Sequence, residues 1–346
     1  MTKLKKLGKI LLIALAVLLG LILLTYLLLC GKGGSYYNED GSYKHVSASH
    51  SFRYIMNHPA LGELGENALP LGGKALRTVT SPWKLKIMIP FLGKHEPTVV
   101  GGINYTIDMA EAGRTDYVPI YSESEMAANP TKEKAGLFIY RAEDENAPFV
   151  VVVPGGGFTM LGVASSAWPY AEPLVEAGYN VFVLKYRVGV YEGETDKIPA
   201  SHRAAEDMAA ALACIRSNAD AFGIDPDKYL LVGSSAGGQI AARFCAETAF
   251  DDTLPAPAAS LLLYPANCER YDYTGCTVPM YITVCQDDPQ INVAGLDQAV
   301  AAMEAAGLTV SYNKFETGGH SFGLGVGTPA EGWMDRALAF AEAYIS

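Results

Sequence analysis

The chain has 346 residues, 50% of them hydrophobic and 18% charged, a globular composition long enough for one large α/β domain plus an additional segment. The formal net charge is −11, and four of the 26 basic residues (Lys3, Lys5, Lys6 and Lys9) fall in the first nine positions, so the remainder is more acidic still. Such a body has no electrostatic footprint for nucleic acid and no general attraction for polyanionic substrates.

Ile10 to Leu29 is apolar apart from Gly20, Thr25 and Tyr26. Twenty helical residues reach ~30 Å, the thickness of a bilayer core. The lysine-rich flank belongs in the cytoplasm. The expectation is therefore a cytoplasmic end and transmembrane anchor over residues 1–30, with the catalytic part outside the cytoplasm. A cleaved signal peptide needs a small-residue cleavage site, and Leu28-Leu29-Cys30-Gly31-Lys32 is a poor one. Lipid attachment at Cys30 meets bulky leucines where small residues are expected. The uncleaved anchor is preferred on length and flanks.

Gly31 to Tyr43, rich in Gly, Ser, Tyr and Asn, reads as a linker. Residues 44–115 contain the apolar runs Phe52–Met56 and Trp83–Ile89, interrupted by Pro59, Pro70, Pro82, Pro90 and Pro97. Residues 31–115 are thus expected as a linker and N-terminal segment of short helices and extended pieces packed on the main domain. His45, His50, His58 and His95 fall here without ligand spacing, so packing or solvated histidines are expected and no metal site.

From Tyr117 onward strands and helices alternate. Strands are expected at Leu137–Tyr140, Phe149–Val153, Asn180–Tyr186, Tyr229–Gly233, Ser260–Tyr264, Met280–Val284 and Thr309–Phe315. Helices are expected at Ala204–Phe222, closed by Gly223 and Asp225-Pro226, after Ser235, at Val293–Ala306 and at Ala330–Ile345. This pattern predicts an α/β domain over residues 116–346, with a mainly parallel sheet, helices on both faces and ligands at the carboxyl ends of the strands. Of six cysteines, Cys214, Cys245 and Cys285 read as core residues. Cys268 and Cys276 flank a short loop and have the option of pairing outside the cell.

Four stretches carry chemistry. Gly233-Ser234-Ser235-Ala236-Gly237 follows an apolar strand and opens a helix, the layout of a nucleophile elbow with Ser235 on a strained turn. Pro154-Gly155-Gly156-Gly157-Phe158 follows the most apolar strand. Its backbone N–H groups at Gly156 and Gly157, with that of Ala236, suit an oxyanion hole. No phosphate-binding glycine motif occurs. His320, in Gly318-Gly319-His320-Ser321-Phe322-Gly323, suits a general base. Asp288 is the preferred acid to orient it, with Asp287 the alternative or a turn cap. His202, at the start of a helix, is expected to pack or face solvent.

Residues 117–346 resemble the α/β-hydrolases of the acetylxylan-esterase-like and feruloyl-esterase-like group, within the esterase/lipase superfamily. The likeness rests on PGGGF at 154–158, Gly178-Tyr179 leading to Phe182–Val188, Asp207, GSSAGG at 233–238, Tyr264-Pro265, Asp288 and GGHSFG at 318–323. It implies hydrolysis of carboxylic esters, commonly acetyl groups on polysaccharides or other small acyl esters, without a cofactor. A short segment between Pro265 and Asp288 implies a reduced cap. Ser166-Ala167 stands where relatives often carry Glu-Gly. The rival readings are a serine peptidase and a catalytically silent binding protein on the same scaffold.

Overall fold

The computed structural model describes residues 2–68, 84–85, 96–144, 146–191, 193–195, 198–248 and 253–345. Among the described residues, eight strands form one sheet: β1 (Thr115–Pro119), β2 (Gly136–Tyr140), β3 (Ala147–Val153), β4 (Asn180–Lys185), β5 (Ile224–Ser234), β6 (Ala259–Leu263), β7 (Met280–Cys285) and β8 (Val310–Phe315). Their order is β1-β2-β4-β3-β5-β6-β7-β8. The pairs β1–β2 and β2–β4 are antiparallel, and every later pair is parallel.

The central parallel strands are apolar, as strands buried on both faces are. Val150 to Val153, Leu230 to Val232 and Leu261 to Leu263 are almost wholly buried. The chain steps from β3 out to β4 and then returns to place β5 on the other side of β3. Such a reversal opens a crevice at the carboxyl ends of the strands. Val153 pairs with Gly233, so the loops after β3 and β5 emerge side by side.

Several elements depart from the sequence reading. The expected helix Ala204–Phe222 is two helices, Ile198–Ser217 and Ala219–Phe222. Asn218 breaks them: its side-chain amide donates to the Cys214 carbonyl at 2.8 Å. Gly223 closes the second helix in the left-handed region, at φ 64°. The helix Trp168–Glu176 and strand β1 had no clear sequence signal. The same holds for the 16-residue helix Glu96–Glu111. Its Pro97, taken from sequence as an interruption, sits in the first turn, where the missing N–H has no helical acceptor to lose.

The helix Thr2–Leu29 is long and apolar enough to cross a membrane, and Leu12–Leu29 is exposed along its length. The stretch 31–43, expected as a linker, is laid onto the body. Lys32 N–H donates to the Ser49 carbonyl at 3.0 Å, and Ser51 N–H donates back to the Lys32 carbonyl at 2.9 Å. Gly31 is required for this approach, since a Cβ there would lie 2.1 Å from the Ser51 nitrogen. Tyr36 stacks on Tyr54 at 4.5 Å. The segment Phe52–Met56 is a short helix capped by the Ser51 hydroxyl. His50 and His58 pack among these tyrosines, whereas His45 is exposed beside Asp108. His95, Pro70, Pro82, Pro90 and most of 83–89 lie outside the described residues. None of the six cysteines is in a disulfide. Cys276 Sγ faces the Cys245 carbonyl and Cys268 Sγ that of Ala266, so the two do not pair.

Candidate active site

Ser235 sits between β5 and the helix Ala236–Glu247 with φ 54° and ψ −117°, a conformation costly for any residue with a side chain. Neighbours hold it there. Its N–H donates to the Leu263 carbonyl at 2.9 Å, and its own carbonyl accepts from Gln239 N–H at 3.0 Å and Ala266 N–H at 3.1 Å. The flanking glycines are steric necessities. A Cβ on Gly237 would meet the Val153 carbonyl oxygen at 2.0 Å, and one on Gly233 the Gly237 oxygen at 2.6 Å.

His320 Nε2 lies 2.9 Å from Ser235 Oγ, and its Nδ1 lies 2.8 Å from Asp288 Oδ2. The three form one hydrogen-bonded line. Asp288 is buried, and its second oxygen accepts from the N–H groups of Gln290 at 2.8 Å and Ile291 at 3.0 Å. Burial pushes its carboxyl up, but the His320 hydrogen bond and these backbone donors together outweigh burial and hold it below the usual carboxylate range. Tyr264 packs edge-on to the imidazole, with ring centroids 4.8 Å apart.

The acids divide the work of holding the histidine. Asp288 grips the ring. Asp287, exposed, accepts from Gly318 N–H at 3.3 Å and Gly319 N–H at 2.7 Å, anchoring the loop that carries the ring. A Cβ on Gly318, at φ 140°, would fall 2.7 Å from Cys285 Sγ, so only glycine lets that loop close over the end of β7. The sequence offered two adjacent acids and no way to see that both face the histidine loop.

The loop after β3 is pinned at successive peptides. Tyr186 Oη donates to the Pro154 carbonyl at 2.9 Å, Gly155 N–H to Ser234 Oγ at 3.1 Å, and Gly162 N–H to the Gly155 carbonyl at 3.0 Å. Gly156 has φ 142°, where a Cβ would lie 2.0 Å from the Met160 carbonyl oxygen. Among the described residues, the N–H groups of Gly156, Gly157 and Ala236 have no protein acceptor. Gly157 lies in the loop after β3, and Ala236 opens the helix that follows Ser235. His202 is exposed and takes no part.

Residues 137–260 match the family described as BD-FAE. The chain is 30% identical over 125 residues to the esterase LipQ of Mycobacterium tuberculosis, covering 34% of this chain and 28% of that protein. It is 26% identical over 132 residues to an acetylxylan esterase of Xylanibacter ruminicola, covering 38% and 25%. The chain thus spans about a quarter of the length of these curated relatives. An α/β hydrolase from a Medee basin deep-sea metagenome library superposes with a TM-score of 0.52 at 23% identity, covering 67% of this chain and 97% of that one. Thermogutta terrifontis esterase 2, phosphorylated by paraoxon, gives 0.51 at 20% identity, covering 67% and 93%. By sequence and structure together, the chain has the α/β-hydrolase fold, and its residues 137–260 match BD-FAE.

Proposed function

We propose that the protein hydrolyses carboxylic esters of short acyl groups, acetyl esters on carbohydrates among them, through a Ser235 acyl-enzyme. The observation that carries this reading is the continuous hydrogen-bonded line from Ser235 Oγ through His320 to a buried, ionised Asp288. His320 Nδ1–H donates to Asp288, which leaves Nε2 as the acceptor for the serine proton. Ser235 Oγ attacks the ester carbonyl as His320 takes that proton. The N–H groups of Gly156, Gly157 and Ala236 receive the oxyanion, and His320 returns the proton to the leaving alcohol. Water, activated by the same imidazole, then releases the acid. No cofactor enters this chemistry. The names of the relatives, an acetylxylan esterase and the esterase LipQ, support this substrate class.

The apolar helix is read as a membrane anchor with the hydrolase outside the cytoplasm. The lysines ahead of it and the exposure of Leu12–Leu29 support that placement. The decisive experiment is Ser235→Ala. It abolishes hydrolysis of p-nitrophenyl acetate and leaves the urea unfolding midpoint nearly unchanged. Turnover retained by the pure variant would defeat the assignment.

A further inference from the structure

The Gly157 N–H is aimed by a relay of backbone groups that begins at an arginine far from the serine in sequence. Arg203, in the helix Ile198–Ser217, donates from Nη2 to the Gly189 carbonyl at 2.6 Å. Gly189 N–H donates to the Phe158 carbonyl at 2.7 Å. A peptide unit is planar, so fixing the Phe158 carbonyl fixes the Thr159 N–H on its other side. That N–H donates to the Gly156 carbonyl at 3.2 Å, where Met160 N–H also donates at 3.1 Å. The Gly156 carbonyl shares its plane with the Gly157 N–H, which must therefore point the opposite way.

The joints of this relay are soft and need holding. Gly189, Phe158 and Gly157 all lie at positive φ, at 91°, 59° and 59°. Arg203 is itself fixed. Its Nη1 pairs with Glu194 Oε1, and the other Glu194 oxygen accepts from Tyr191 N–H at 2.8 Å. Its guanidinium lies over the Tyr191 ring, 4.0 Å from the centroid, with Lys134 Nζ at 4.6 Å from the same centroid. The Arg203 and Glu194 side chains are 13% and 19% exposed, so the pair is shielded from screening water. Next to the relay, Arg187 N–H and Nε are held by Asp207, which fixes the chain entering Gly189.

We propose that Arg203 is a positioning residue for the oxyanion donor Gly157, acting through Gly189 and Phe158 and locked by Glu194. The inference rests on the esterase reading above. One oxyanion donor is worth roughly 100-fold or more in rate, and a displaced donor loses part of that.

The test is Arg203→Gln in the full-length protein, with rates referred to Ser235 titrated by a fluorophosphonate. The expected result is a kcat on p-nitrophenyl acetate lower by roughly tenfold, a KM within about twofold, and affinity for a trifluoromethyl ketone reduced by the same factor as kcat. The ketone forms a tetrahedral oxyanion on the serine, so its affinity follows the donor and not general packing. A kcat per titrated site within about twofold of the parent overturns the proposal, as does a fallen kcat with unchanged ketone affinity. If Arg203→Gln does not fold, Glu194→Gln is read the same way, with a parallel fall in kcat and ketone affinity expected and parent values overturning it. Ser235→Ala assayed alongside separates the two levels. Turnover surviving there sinks the esterase reading, whereas an inert Ser235→Ala beside a fully active Arg203→Gln sinks only the relay.

Discussion

Asp287 and Asp288 are chemically identical neighbours whose surroundings give them different tasks. Asp288 has no exposed side-chain surface, and its oxygens are used by the imidazole and two backbone donors. Its carboxyl is held below the usual range, so it is ionised wherever His320 works as a base. Replacing it by Asn offers an amide that can present N–H to Nδ1 and so favours the wrong tautomer, a change worth about 10^4 in kcat when a triad acid is lost this way. Asp287 is exposed and holds only loop N–H groups, where hydrogen bonds to a charged group contribute at most about 1.5–3 kcal/mol net of exchange with water. Asp288→Asn is therefore expected to lower kcat by about 10^4 and Asp287→Ala by roughly tenfold at most. Steady-state kinetics of both variants check the order, and the reverse order would exchange the two roles. The positions of Ser235, His320 and Asp288 were legible because each follows its own strand. The task of Asp287 was not, because it depends on a loop some thirty residues away folding back over β7.

At the scale of elements, the helix Ile198–Ser217 ties the front half of the sheet to the site. Asp207 is completely buried in it and accepts from Tyr121 Oη at 2.7 Å, Arg187 N–H at 2.7 Å and Arg187 Nε at 2.9 Å. Arg187 is also buried and reaches Glu206 at 2.6 Å. Removing one member of such a buried pair leaves the other charged and unpaired, at a cost of about 3–5 kcal/mol. Asp207→Ala is expected to destabilise by that amount in urea denaturation, and a loss under about 1 kcal/mol would show that water or Glu206 compensates. The strands β2 to β7 were readable because burial leaves runs dominated by apolar residues, whereas β8, at the sheet edge and half-buried, carries Ser311, Asn313 and Lys314. The helices Glu96–Glu111 and Trp168–Glu176 were not, because prolines near their first turns look like breaks until tertiary packing is known. Gly102 explains why the two can pack so closely: a Cβ there would lie 2.6 Å from the Pro169 nitrogen.

For the molecule as a whole, the joint between the apolar helix and the body is sewn in place. Lys84 N–H donates to the Leu29 carbonyl at 2.9 Å, and its Nζ reaches the Leu28 carbonyl at 2.8 Å, capping the helix with a positive charge. Leu85 N–H donates to the His50 carbonyl at 3.0 Å. His50 and its neighbour His58 thus sit beside the joint between the apolar helix and the body. His58 is buried, with Nε2 3.0 Å from the Lys44 carbonyl and Nδ1 accepting from Ala60 N–H at 3.3 Å. A second ring proton would face that N–H. His50 Nδ1 likewise accepts from Ser47 N–H at 2.9 Å, and its ring stacks on Tyr54 at 4.6 Å. Burial is the main cause holding both imidazoles below their usual range, with the Lys32 charge adding to it at His50. A histidine whose folded pKa is depressed contributes stability that is present above its unfolded pKa of about 6.5 and lost as pH falls through the folded value. Urea unfolding midpoints of the detergent-solubilised protein are expected to drop between about pH 7.5 and pH 5.5, the window set by that unfolded pKa. His58→Gln keeps one donor and one acceptor for Lys44 and Ala60 and cannot titrate, so the drop shrinks in that variant. An equal drop in parent and His58→Gln would place the acid sensitivity elsewhere in the chain.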